Sequence, residues 1–211
     1  MFARALCAST SARRLLALAM ALGCGAPLAS PAHAASAANF KMVRTKGLPA
    51  TCAPQATASV HVDTSPGFTE RLVITVKGFK PGTPLVLFAI QVPNAPFGIG
   101  WYEGDVAIGA KGWVKETFVS RFNVETFAVA VGTASAPHTH PAGPFPDAGE
   151  NPTFKPVHTY HLGIWFDSVE AAVANGCPPN QTVFNGDHTA GPQVLNTGTF
   201  PDLNGPLARI D

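Results

Sequence analysis

The chain is poor in charge, in methionine and in tyrosine. Of its 211 residues only 13% are Asp, Glu, Lys or Arg, with 3 Met and 2 Tyr. No basic cluster occurs, which argues against a nucleic-acid partner and against electrostatic attachment to an anionic membrane. Several catalytic signatures are missing as well. There is no G-x-S-x-G elbow for a serine nucleophile and no glycine-rich phosphate loop opening a helix. Carboxylates are few. Glu103 and Asp105, two apart in a strand-like segment, form the nearest thing to a glycosidase-like pair, and such residues more often form a solvated strand face.

The N-terminus is different from the rest. Arg4, Arg13 and Arg14 precede an apolar run opening with Leu15–Leu22, and Ala32-His33-Ala34 follows as a small-x-small site. That order is a secretory signal peptide. The run is too short, and too soon followed by Gly and Pro, to be a good membrane span. Cleavage is expected after Ala34, dividing the chain into a signal peptide, 1–34, and an exported part, 35–211. The stretch Ala21-Leu22-Gly23-Cys24 offers a lipoprotein alternative with Cys24 acylated, although a large apolar residue is usual where Ala21 stands. Removing three Arg from 14 Lys plus Arg leaves 11 against 13 Asp plus Glu, a net charge of −2.

Cys7 and Cys24 leave with the signal, so Cys52 and Cys177 remain. Two cysteines in an exported chain predict one disulfide. It closes a loop of more than a hundred residues, which by loop entropy contributes roughly 4–5 kcal/mol at most. No free thiol is then left to act as a nucleophile beside a histidine.

The exported part is rich in Gly and Pro, with Val, Phe and Thr in short runs, the composition of an all-β domain with long loops. Residues 58–63 and 70–78 alternate, with Val60 and Val62, then Leu72, Ile74 and Val76, on one face. Residues 84–92 are almost continuously apolar, which predicts a strand covered on both faces. Further strands are expected near 101–109, 113–120, 126–132 and 158–166. Between the last two runs the His/Pro/Gly-rich segment 137–157 is expected to form a long loop. Asp167 or Ser168 can cap a short helix that Asn175-Gly176 ends. The tail, 178–211, has no clear period, yet Val183, Phe184, Val194, Leu195 and Phe200 predict that it packs on the domain.

The stretches LVITVKGFKPGTPLVLF, GDVAIGAKGWVKETF and ETFAVAVG, within residues 56–132, resemble bacterial extracellular Ig-like domains, in which a strand ending in G-F-x-P-G leads into a second apolar strand. The resemblance implies an Ig-like β-sandwich of about seven strands. Its expected layout is a lead-in at 35–55, the sandwich at 56–177 with one short helix, and an extension at 178–211 packed on it. It also implies that the first strand can run parallel to the last, which brings Cys52 towards Cys177. Such domains serve as adhesion, spacer, carbohydrate-binding and enzyme-accessory modules.

Two sets of residues carry the functional expectations. The first is histidine. His138 and His140, two apart in an extended segment, point to one side. With His188, Asp187 and His158 they form a candidate site for zinc or non-blue copper. His161, three from His158, faces the other way on a strand. A blue-copper centre is excluded because both cysteines are committed to the disulfide. The second set is aromatic. Trp101, Tyr102 and Phe97 lie in and after the loop PNAPFGIG and suit contact with a protein or glycan. Trp113, Trp165 and Phe166 are expected in the core. The leading expectation is a secreted, non-catalytic binding or structural module without a cofactor. A metal-binding protein is the first alternative and a small secreted hydrolase the second.

Overall fold

The computed structural model describes residues 37–64, 69–122, 127–130, 155–182 and 189–210, with 127–130 and 155–157 as backbone alone. The expected signal peptide (residues 1–34), His138, His140, Asp187 and His188 lie outside these residues.

Among the described residues the chain is all-β with one short helix. Its strands are β1 (Ala37–Arg44), β2 (Thr57–Asp63), β3 (Glu70–Lys77), β4 (Pro84–Ile90), β5 (Gly100–Ala107), β6 (Trp113–Ser120), β7 (Phe127–Ala130), β8 (Lys155–His158), β9 (His161–Phe166) and β10 (Gln193–Asn196). Helix α1 spans Val169–Ala174, and a 3-10 turn spans Pro206–Arg209. No helix among the described residues is long and apolar enough to cross a membrane.

Eight strands form one antiparallel sheet in the order β5-β4-β9-β10-β1-β2-β3-β6, while β7 and β8 form a separate hairpin. The expected all-β class is present, with the strands in one nearly closed, barrel-like sheet. A single sheet curls until its two ends, β5 and β6, lie side by side. Strand β1 makes this possible. Its Ala37–Met42 part pairs with β2, and Val43 and Arg44 pair with β10. The segment expected as a lead-in is thus a central strand, with Phe40 and Met42 buried in alternation. The extension expected to pack on the domain enters the sheet through β10, where Val194 and Leu195 are fully buried.

The alternating runs behave as their pattern requires. Ala58, Val60 and Val62 of β2 and Leu72, Ile74 and Val76 of β3 face one core. Strand β4 is apolar throughout because it is covered twice. Leu85, Leu87 and Ala89 join the main core, whereas Val86, Phe88 and Ile90 join a second cluster on the sheet's outer face.

Cys52 and Cys177 are joined by a disulfide across 125 residues. The route differs from the expected parallel pairing, since β1 pairs antiparallel with β10 and Cys52 sits in the β1–β2 connection. Helix α1 delivers Cys177. Ser168 caps it by accepting from the Ala171 amide at 3.1 Å, and Gly176 follows at φ 77°. At its end, the Asn175 side chain accepts from the Lys80 amide and donates to Thr83 Oγ1, while its carbonyl accepts from the Ala53 amide. Helix end, Cys52 loop and the 80–83 turn are therefore one hydrogen-bonded knot.

Candidate functional site

The outer face of β4 and β9 is where the sequence's apolar excess collects. Antiparallel sheets commonly leave one face to water. Here Phe88 and Ile90 on β4 and Trp165 on β9 make that face apolar, and Trp165 is fully buried. Trp165 lies across Gly163, where a Cβ would collide with the far edge of the indole and with Gln193 Nε2. Glycine at 163 is what lets the large ring lie down on its own strand.

The loop 91–99 roofs this face. The Gln91 amide donates to the Ile99 carbonyl at 2.8 Å, and the Val92 amide to the Phe97 carbonyl at 3.1 Å. The Gln91 side chain also accepts from the Ile99 amide. From below, buried Asn196 of β10 donates to the Pro93 carbonyl at 2.9 Å. The Ala95-Pro96 peptide is cis. These bonds set Phe97 edge-on to Trp165, with centroids 5.0 Å apart at 82°. Phe88 meets Trp165 at 5.5 Å and 75°, and Tyr102 meets Phe88 at 5.6 Å. Edge-to-face contacts of this kind are favourable beyond simple burial.

Between roof and floor remains a concavity of about 500 Å³, lined by Phe88, Ile90, Pro96, Phe97, Gly100 and Trp165 with Thr182 at its margin. That volume lies within the usual range for small-ligand sites, roughly 300–1,000 Å³. None of its described lining residues carries a charge.

The sequence-derived aromatic set is only partly brought together. Phe97 lines the concavity. Tyr102 is half exposed one ring further out, and its hydroxyl donates to Asp105 at 2.7 Å. That bond, with burial and the Asp105 charge, pushes the Tyr102 hydroxyl up to about 12. Trp101 is 64% exposed and pairs with Ala89, which places it on the other face of β5. Trp113 is a correction, being 47% exposed rather than in the core. Trp165 and Phe166 are buried as expected, but in different clusters. The residues that sequence reasoning left out of the site are Phe88, Ile90 and Trp165. Their signal was the doubly apolar run at β4, which does not reveal which loop covers its second face.

Of the candidate metal ligands, only His158 is described. It ends β8 with its ring stacked on Tyr160 at 4.9 Å. Among the described residues no group of three or more His, Cys, Asp or Glu is placed to hold a metal ion. His161 is fully buried, with Nε2 facing the Pro201 and Asp202 carbonyls and Nδ1 against Thr197 Oγ1. Two carbonyls on Nε2 require a proton there, so the ring clamps the C-terminal turn. Burial holds its pKa below the ordinary value.

The Glu103–Asp105 pair is separated by a bulge in β5. The register shifts so that Leu87 pairs with Gly104 and Phe88 with Tyr102, leaving Glu103 as the extra residue. Its carboxyl turns into the seam between β5 and β6 and bonds with Ser120, while Asp105 stays exposed. Burial pushes Glu103 up to about 7. Comparison with protein-family models, with curated proteins and with solved structures returns no match.

Proposed function

We propose that this chain is a non-catalytic binding module of a bacterial envelope or exterior, exported by its N-terminal signal and cleaved after Ala34. Its recognition surface is the loop 91–99 with the aromatic floor beneath it. The observation that carries the reading is the roofed concavity itself. A loop fixed by its own backbone bonds and by Asn196 covers an apolar outer sheet face, yet leaves about 500 Å³ unfilled. Preorganised surfaces of this kind lose little entropy on binding. The Cys52–Cys177 disulfide suits an oxidising compartment.

An Ig-like arrangement goes with this reading. The orders β2-β3-β6 and β5-β4-β9-β10 follow the A-B-E and C′-C-F-G orders of Ig-like sandwiches, with β1 bridging the two layers.

The test is an amide NMR spectrum of the exported protein during titration with fractionated envelope extract. Perturbations are expected at residues 91–102 and around Trp165, with the bound component recovered chemically unchanged. Perturbations confined to β2 and β3, or none with any fraction, overturn the reading. Consumption of the component makes the protein an enzyme instead.

A further inference from the structure

We infer that the concavity under the 91–99 loop is a site for a small, neutral molecule built on an apolar ring. The inference rests on the binding-module reading and names the chemistry of its ligand.

Three observations point to that class. The first is charge. None of the described lining residues is charged, so an ionised ligand would lose its hydration there with no counter-charge among them in return. The second is the geometry of the rings. Phe97 and Phe88 each stand edge-on to Trp165, at 82° and 75°. A further ring entering among them finds both ring faces and ring edges, the two surfaces that aromatic contacts use. The third is polar economy. Thr182, at the margin, already donates its hydroxyl to the Gly191 carbonyl at 2.9 Å. A sugar or peptide, which carries many donors and acceptors, would find few partners on the described, mostly apolar lining.

Gly100 separates a ligand site from a mere packing gap. A Cβ built there would lie 3.5 Å from Ile90 Cγ2 and 3.8 Å from Phe88 Cδ1, both ordinary contacts. A side chain at 100 therefore fits the fold and would occupy the concavity. A β-branched residue there also suits a strand. The chain instead has glycine at the point where filling the space would be easiest.

The experiment uses the full exported protein and the neutral fluorescent probe N-phenyl-1-naphthylamine. Saturable binding at one site is expected, with quenching of tryptophan emission. The anionic analogue anilinonaphthalene sulfonate should bind at least about tenfold more weakly, because its sulfonate is desolvated without a partner. In the Gly100→Val variant, probe affinity should fall about tenfold or more while the melting temperature holds or rises. Phe97→Ala, which opens the roof and leaves the main core cluster unchanged, should also weaken the probe. Absence of saturable probe binding to the folded parent protein overturns the inference. So does equal affinity for the sulfonate, or unchanged affinity in Gly100→Val. In each case a response of residues 91–102 to an envelope component would still uphold the binding module with a ligand of different chemistry. Silence in both experiments removes the two together.

Discussion

Glu103 sits in the seam where the ends of the curled sheet meet. Ser120 bonds to its carboxyl, and Oε1 is buried without a hydrogen-bond partner among the described residues. Neighbouring Gly104 lies so close to Phe118 that a Cβ would strike the ring. Folded, the carboxyl keeps its proton to about pH 7, against an ordinary 4.5. Between those values the folded state binds more protons than the unfolded one, so the stability it contributes falls as pH rises. His161 acts in the opposite sense. Its folded pKa is lowered, so its stability is present above the ordinary 6.5 and is lost as pH falls. Comparison with Glu103→Gln isolates the first effect. Chemical denaturation from pH 4.5 to 8 should show the parent losing stability relative to the variant as pH rises. Parallel curves for the two proteins would mean that Glu103 titrates normally.

At the scale of elements, loop 91–99 depends on a residue a hundred positions away. Asn196 donates to the Pro93 carbonyl and to Gln193 Oε1 at 2.9 Å each, and accepts from the Gly198 amide. It is 1% exposed. Asn196→Ala strips these buried groups of their partner and should cost about 1–3 kcal/mol. Hydrogen exchange should quicken at 91–99 first, since that loop loses its anchor. Exchange that quickens equally everywhere would place the loop's order elsewhere.

How much of this was legible varies from element to element. Strands β2 to β6 and β9 were readable because each carries its own alternation or a continuous apolar run. Helix α1 was readable from Ser168 and Gly176, which act locally. Strand β1 was missed although Phe40 and Met42 alternate with Asn39 and Lys41, because short alternation beside an expected cleavage site resembles a linker. Strand β10 was missed because QVLN is buried at all four positions and carries no period. For the site, Phe97 was readable as a loop aromatic. Trp165 was not, because its assignment to an outer cluster depends on Gly163, Phe88 and the loop arriving together.

On the scale of the whole molecule, the disulfide and β10 close the same structure from two directions. Cys52 and Cys177 bridge 125 residues, while β10 pairs with both β1 and β9. Replacing both cysteines by alanine should cost roughly 2–5 kcal/mol, mostly through a less constrained unfolded chain. The checking measurement is the denaturant midpoint of the variant against that of the parent. A midpoint that does not move would mean that the knot around Asn175 already supplies the constraint.

By itself the sequence determined the all-β class, most strands, the helix and its cap, and the pairing of the two cysteines. These follow from local periodicity, from capping chemistry and from Cys52 and Cys177 being the two cysteines outside the expected signal peptide. Only the tertiary structure decided that the sheet curls on itself through β1, that β4 has a second apolar face, and that a fixed loop covers that face without filling it. The physical reason is that closure and concavity come from side chains far apart in the chain, and no local pattern records the distance at which they meet.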